Sequence, residues 1–168
     1  RVVMILTWFL CVLPAIGSGA EEALEIGSRL EPLVDDFLIE RLANAGGPTG
    51  GKVVRISTGK VPASVVFVQC VGSRDVSIGR PWCSCVCCMA AIKNAILLME
   101  KYPGIEVTIC HNDIRAYGKG YEEYFVRAER MGVRFLKGLP GEVWSEGRGP
   151  ALQVENTETR EVEVLRPD

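Results

Sequence analysis

The sequence predicts an α/β fold in which a parallel βαβαβ unit is followed by an antiparallel meander. Apolar segments of strand length alternate with segments of helix length, which is the pattern of parallel strands joined through helices. The predicted strands are Val65–Gln69, Glu106–Cys110 and Val133–Lys137, and the predicted helices are Cys83–Lys101 and Lys119–Met131. The segment Tyr102-Pro103-Gly104 predicts the turn that ends the first of these helices.

The residues after the last of these strands predict three short antiparallel strands. They cover Gly141–Ser145, Ala151–Asn156 and Arg160–Leu165. Residues 157–159 predict the turn between the last two.

Composition limits the class of protein. The chain has 168 residues and is 48% hydrophobic, which is enough to bury one core. Its net charge of −2 and the alternating signs of its charged residues give no basic surface, so we expect no nucleic-acid partner. The single histidine, His111, excludes a histidine dyad or triad within these residues. A hydrogen-bonded structural role and a role in ligation or proton relay both stay open for it.

A set of cysteines carries the strongest functional signal, with the spacing Cys70-x12-Cys83-x3-Cys87-Cys88. Cys70 follows a predicted strand, and the others lie where the next helix is expected to open. If Trp82 to Ser84 begin that helix, Cys83 and Cys87 share one helix face. The free amides of a first helical turn favour anions, and Arg74 adds a cation nearby. Four thiolates are a complete ligand set for an iron–sulfur cluster or a zinc ion.

Three other interpretations of the cysteines compete with a cluster. Zinc sites usually have two separate Cys-x2-4-Cys knuckles, which this spacing does not. Disulfides suit small secreted domains, whereas an odd total of seven cysteines favours a reducing compartment and thus the cytoplasm. Inert buried thiols are common singly, not in such a group. Cys85 is a fifth thiol in the motif, and it either replaces one of the four or points away from them.

Three segments and a short strand core resemble the A subunit of heterodisulfide reductase. They are Phe67–Asp75, Trp82–Met89, Val107–Ile109 and Asp113–Tyr124, and the resemblance runs from about Leu38 to Glu163. That family consists of flavin and iron–sulfur proteins of methanogens and other anaerobes. The resemblance implies a thioredoxin-reductase-like, three-layer core of the FAD/NAD(P)-binding type that holds FAD, which agrees with the predicted order of elements.

The resemblance also implies a ligand set and partners. The family's 4Fe-4S ligands match Cys70, Cys83, Cys87 and Cys88, while the position of Cys85 is usually basic in the family. The implied activity is electron transfer between FAD and the cluster, with flavin-based electron bifurcation. The implied partners are the B and C subunits, a hydrogenase or formate dehydrogenase connector, and ferredoxin, in a homo-oligomer of such heteromers. The alternative function is a non-catalytic scaffold at a subunit interface, in which the four cysteines bind zinc.

Two charged residues are implied to approach the flavin, Lys93 and Glu40. Lys93 interrupts an apolar helix, so it either snorkels to water or faces an anion. Glu40 also fits an ordinary amphipathic helix with a solvated charge. A glycine-rich loop, residues 46–51, is expected to bring the backbone of Gly50 and Gly51 close to the flavin or the cluster. No glycine fingerprint for a pyridine nucleotide is present, since Gly17-Ser-Gly19 and Gly118-Lys-Gly120 lack a third glycine.

The resemblance divides the chain into two parts. Residues 1–60 are expected to be a partial segment of the flavoprotein core, and residues 61–168 the cluster-bearing α/β domain. The missing FAD fingerprint predicts an internal fragment of a longer protein. The apolar run Val2–Ala15 is too short for a membrane span. It is either a buried strand and turn or a secretory signal.

Overall fold

The computed structural model describes residues 3–6, 33–34, 36–55, 58–146 and 149–167. Among these residues the strands are β1 (Val3–Leu6), β2 (Leu33–Val34), β3 (Ser64–Val68), β4 (Glu106–His111), β5 (Arg134–Lys137), β6 (Pro140–Ser145), β7 (Pro150–Glu155) and β8 (Val162–Leu165). The helices are α1 (Asp36–Ala43), α2 (Cys87–Lys101) and α3 (Tyr121–Met131).

The first five strands form one parallel sheet in the order β2-β1-β3-β4-β5. In its centre Val65 pairs with Val107, and Thr108 pairs with Arg134. Helix α2 connects β3 to β4, and α3 connects β4 to β5. The predicted parallel βαβαβ unit is therefore confirmed, and the fold is α/β.

The other three strands form an antiparallel sheet in the order β6-β7-β8. The turn between β7 and β8 falls at residues 157–159, as predicted. The side-chain oxygen of Asn156 accepts hydrogen bonds from the amides of Glu158 and Thr159. Asparagine favours such a turn because its short side chain can bond to the backbone two residues on.

The parallel sheet lies between two different layers. On one face, Val65 and Phe67 pack in a core with α1, α2 and α3. On the other face, Val66 and Val68 pack against Leu152 of β7. Alternate residues of a strand point to opposite faces, so this apolar run is buried on both sides, as expected of a central parallel strand.

One predicted boundary is wrong in a way that matters for the site. Helix α2 begins at Cys87 and not at Cys83. Cys85 has a left-handed backbone with φ of 66°, which a continuous right-handed helix does not allow. Cys83 therefore lies in the turn before the helix, and the expectation that Cys83 and Cys87 share a helix face is wrong.

Part of the amino-terminal apolar run forms a strand. Strand β1 lies within the apolar run Val2–Ala15 and pairs in parallel with both β2 and β3. The rest of that run lies outside the described residues. Among the residues that the structure describes, no helix is long and apolar enough to cross a membrane.

Candidate metal centre

The cysteines lie at the carboxyl end of the parallel sheet. Cys70 follows β3 after one intervening residue, and Cys87 and Cys88 are the first residues of α2. The carboxyl ends of parallel strands form the edge at which open α/β sheets bind ligands. Cys70, Cys87 and Cys88 are buried, Cys83 is half-buried and Cys85 is exposed.

The sulfur of Cys87 lies among several hydrogen-bond donors. The Cys88 thiol, the Ser84 hydroxyl and the backbone amides of Cys70 and Cys88 all donate to it and lower the pKa of Cys87 to about 5. The Ser84 oxygen is 3.4 Å from the Cys87 sulfur. The bond to Cys87, together with burial, raises the pKa of Cys88 above its usual range. The adjacent pair therefore loses one proton easily and holds the second firmly.

Cys70 interacts with the same pair. Burial and the neighbouring charge of Cys87 raise the pKa of Cys70, whereas a hydrogen bond and the positive charge of Arg74 lower it. Arg74 also forms an ion pair with Asp113. The sequence prediction that Arg74 places a cation beside the cysteines is confirmed.

Cys83 and Cys85 form a second, outer group of thiols. The amide of Cys85 donates to the Cys83 sulfur over 3.3 Å, and the Cys85 thiol donates to the Cys83 carbonyl over 3.5 Å. The hydroxyl of Tyr117 donates to the Cys85 carbonyl over 3.4 Å. Within the described part of the chain, no group of three or more His, Cys, Asp or Glu side chains has the geometry of a single-ion site. The structure thus brings Cys70, Cys87 and Cys88 together and leaves Cys83 beside Cys85, and which four bind metal stays a prediction.

The segment that carries these cysteines has an unusual backbone. Cys70, Arg74 and Cys85 all have positive φ values, of 61°, 58° and 66°. Side chains rarely adopt this left-handed conformation, and residues held in it cluster at functional sites. The residue types at these positions gave no sign of it in the sequence.

Asp113 is a residue of the site that was not predicted from the sequence. Its carboxylate forms ion pairs with Arg74 and with Arg115, whose side chain lies 2.7 Å away. Its backbone carbonyl is 3.8 Å from the Cys88 sulfur. Asp113 therefore ties the residues after β4 to the thiols that follow β3. Its position just beyond a strand, at the carboxyl edge of the sheet, was the signal that could have identified it.

The two charged residues implied to approach a flavin lie together. Lys93 of α2 forms an ion pair with Glu40 of α1, and both side chains are about half exposed. Lys93 also borders an open cleft of about 510 Å³ between α2 and the start of α3. The other residues along the cleft are Met89, Ala90, Lys119, Gly120, Tyr121 and Tyr124. The sequence indicated each charge separately and did not predict that the two pair.

Gly50 and Gly51 lie at the other end of α2. Both have positive φ, of 62° and 83°, which a glycine adopts without strain. The ammonium of Lys101 donates to the carbonyls of Ala43 and Gly51 over 2.7 Å each, which fastens the loop to the end of α2. Lys101 is two helical turns beyond Lys93, roughly 12 Å along the axis. The structure therefore brings the glycines to α2 but not to the Lys93 cleft.

Comparison with known proteins finds relatives that are similar to this segment. No protein-family model matches the chain. It is 50% identical over 133 residues to the A subunit of the ferredoxin/F420H2-dependent CoB-CoM heterodisulfide reductase of Methanosarcina acetivorans, a match that covers 78% of this chain and 17% of the relative. It is 50% identical over 137 residues to an iron-sulfur A subunit of the CoB-CoM heterodisulfide reductase of Methanopyrus kandleri, covering 81% of this chain and 19% of the relative. The corresponding iron-sulfur protein of Methanocaldococcus jannaschii is 47% identical over 133 residues, a match that covers 77% of this chain and 20% of the relative.

These relatives are subunits of oxidoreductases, and two of the three are named as iron–sulfur subunits. Over the matched residues, the chain resembles the A subunits of heterodisulfide reductases. The resemblance noted in the sequence is thereby confirmed. The chain spans about a fifth of the length of the curated relatives it matches.

Proposed function

We propose that this chain carries electrons through a 4Fe-4S cluster bound by Cys70, Cys83, Cys87 and Cys88. The observation that supports this most is the grouping of Cys70, Cys87 and Cys88, which interact at one edge of the sheet. The iron–sulfur cofactor is supported by the names of two relatives that are 50% and 47% identical to the chain. In this proposal residues 61–168 form the cluster-bearing domain, and residues 1–60 belong to the flavoprotein core.

The donor set fits such a cluster. Its four irons each take one thiolate, so the ligands need not converge on a single point as they do around one ion. A cluster with four thiolate ligands is an anion. The guanidinium of Arg74 and the free amides at the start of the fifteen-residue helix α2 offset that charge. The low pKa of Cys87 means that this sulfur is ready to bind metal at neutral pH.

We extend the proposal to FAD, held beside the cluster by a core like that of thioredoxin reductase. The residues that fit are Lys93, which borders the cleft between α2 and α3, and its ion-pair partner Glu40. FAD would supply a carrier that exchanges electrons in pairs with one partner and singly with a cluster. In this arrangement Lys93 balances the negative charge of the reduced flavin, and Glu40 holds the Lys93 ammonium in place when the flavin is oxidised. Gly50 and Gly51 would contact the cofactor further along α2.

The proposed complex is the one that the family resembled by this chain implies. We propose a cytoplasmic heterodisulfide reductase-like complex of anaerobic metabolism such as methanogenesis, with B and C subunits, a hydrogenase or formate dehydrogenase connector, and ferredoxin. Flavin-based bifurcation would direct one electron of each pair to the B and C subunits and the other to ferredoxin. Relatives are named for ferredoxin and for H2 and formate, which supports these partners. Two or more copies of the heteromer would associate.

The cluster is tested by anoxic reconstitution of the protein with iron and sulfide. We expect a brown protein whose visible absorption bleaches with dithionite. Cys87→Ser should lose most of its iron and acid-labile sulfide, because it removes a proposed iron ligand whose thiolate is stabilised by surrounding hydrogen-bond donors.

The matched control is Cys85→Ser, which removes an exposed thiol from the same turn. It should keep the full content of iron and sulfide. If Cys87→Ser keeps its iron and Cys85→Ser loses it, Cys85 is a ligand and the assigned set is wrong. A colourless wild-type protein that contains zinc would support the four-cysteine zinc scaffold instead.

A further inference from the structure

Two buried polar side chains at the carboxyl ends of β3 and β4 have side-chain atoms without a hydrogen-bond partner. Gln69 is completely buried, and neither its side-chain nitrogen nor its side-chain oxygen has a partner. His111 is 9% exposed, and its Nδ1 has no partner either. A buried amide or imidazole without partners is unfavourable, so such groups are kept where they bind something.

The sheet places these two residues side by side. Val68 of β3 pairs with Cys110 of β4, and the amide of Gln69 continues this ladder by donating to the Cys110 carbonyl over 2.9 Å. The next pair in the same register is Gln69 with His111. Alternation along each strand puts both on the face of Phe67 and Ile109, which is the face covered by the helices.

The same two residues adjoin the groups that contact the thiols. The backbone amide after Gln69 belongs to Cys70 and donates to the Cys87 sulfur. The backbone amide after His111 belongs to Asn112 and donates to the Cys70 sulfur. Gln69 and His111 thus lie one residue from backbone that already touches two of the proposed ligands, on the side of the sheet from which α2 brings Cys87.

Both side chains can donate hydrogen bonds to sulfur. The amide of glutamine carries two N–H donors. Burial lowers the pKa of His111, so its ring is neutral and offers one N–H. Sulfide and thiolate are the acceptors that a cluster presents, and a donor aimed at them is one of the means by which proteins set a cluster's potential.

We propose that Gln69 and His111 donate side-chain hydrogen bonds to sulfur atoms of the cluster and so raise its reduction potential. This inference rests on the proposed function. Reduction adds one electron and one negative charge to the cluster, with no bond made or broken. Donors to sulfur stabilise the more negative, reduced state more than the oxidised state. Gln69 and His111 would then contact the cluster through its sulfur atoms without binding iron.

The test is a dithionite titration of the reconstituted protein, followed by electron paramagnetic resonance of the reduced cluster. Gln69→Met keeps the length of the side chain and removes its donors. We expect its midpoint potential to be about 59 mV more negative. For a one-electron couple this corresponds to a tenfold change in the ratio of reduced to oxidised cluster. His111→Phe, which keeps a ring beside Phe135, should shift it in the same direction.

The matched control is Gln153→Met, a change of the same kind at an exposed position on β7. It should leave the potential unchanged. A Gln69→Met protein with full iron and sulfide and an unchanged potential would overturn the inference, as would a shift confined to the flavin. A trapped water, rather than the cluster, would then be the partner of the amide.

A second measurement does not depend on the variants folding. Wild-type protein labelled with nitrogen-15 in the glutamine side chain, and separately in the histidine ring, should show a nitrogen coupling to the reduced cluster in pulsed resonance spectra. A loaded cluster with neither coupling rejects the hydrogen bonds and leaves the proposed function intact. Wild-type protein without iron and sulfide would reject both.

Discussion

The ion pair of Lys93 and Glu40 is the contact between side chains that bears most directly on the proposed flavin. Both partners are about half exposed, so the pair itself contributes little to stability. The pair holds the Lys93 ammonium at the edge of the cleft. We expect Lys93→Met to weaken the binding of reduced FAD at least tenfold, about 1.4 kcal/mol, and to change the binding of oxidised FAD less. Anoxic equilibrium titrations of FAD in its two oxidation states measure both affinities.

Lys60→Met serves as the control for Lys93→Met, because Lys60 is exposed and lies outside the residues of the cleft. It should bind both states of FAD as the wild type does. Equal losses for oxidised and reduced FAD in Lys93→Met would show a steric effect instead of a charge effect. Equal binding by all three proteins would remove Lys93 from the proposed site.

The residue types at the candidate metal centre were predictable, but their conformations were not. Thiols at the end of an apolar strand and the start of a helix are visible in the sequence, and Arg74 beside them is too. The left-handed backbone at Cys70, Arg74 and Cys85 is not, because these residue types ordinarily avoid that region. The packing of the whole segment imposes it, and packing is a property of the fold.

At the scale of single elements, helix α3 ends in a motif that depends on one glycine. Gly132 has φ of 98°, and the amide of Val133 donates to the Ala128 carbonyl over 3.1 Å. We expect Gly132→Ala to lower the free energy of unfolding by about 1 kcal/mol, because alanine is strained in the left-handed region. An added methyl group meets only the end of Met99, at 3.7 Å, so the cost is conformational and not steric. Urea unfolding measures this loss in the free energy of unfolding.

Gly141→Ala is the comparison for Gly132→Ala. Gly141 of β6 has no positive φ and open space around the position of a Cβ. Its substitution should change the free energy of unfolding by much less. Similar losses for both variants would mean that the left-handed conformation of Gly132 is not what costs energy in the substituted protein.

Element boundaries were predictable to within two residues, except at the start of α2. The pattern of apolar residues continues smoothly from Cys83 into the helix, so it gives no reason to begin the helix at Cys87. Helix α2 starts later than predicted because of the turn before it, in which the Cys85 amide donates a hydrogen bond to the Cys83 sulfur. Helix α3 begins at Tyr121 instead of Lys119, because the preceding Gly120 is left-handed.

At the scale of the whole molecule, the meander and the parallel sheet share a core. Leu152 of β7 is completely buried against Val66 and Val68 of β3. We expect Leu152→Ala to lower the free energy of unfolding by about 3 kcal/mol, within the range for buried leucines. Because one core joins both sheets, denaturant curves followed by fluorescence and by circular dichroism should still coincide.

Val162→Ala is the control for Leu152→Ala, since Val162 of β8 is 57% exposed. Its effect should stay within about 0.5 kcal/mol. Two separate transitions in Leu152→Ala, with the meander lost first, would show that the sheets unfold independently.

The order of layers was largely predictable from the sequence. Strands alternating with helices give a parallel sheet, and the run of short strands after β5 gives the meander. The pairing of β1 with β3 was not predictable, because more than fifty residues separate them and local patterns carry no register over that distance. The same applies to the contact of α1 with α2, and therefore to the pairing of Glu40 with Lys93.

The parallel pairing of β3 with β4 has a consequence for the maturation of the protein. Cys70 and Cys87 leave the ribosome before β4 does, and the amide of Asn112 reaches the Cys70 sulfur only after β4 has paired. Until then the nascent polypeptide exposes its thiols without the surroundings that protect them. The hydrogen-bonded environment of the Cys70 sulfur is thus completed only after β4 has been translated and has joined the sheet.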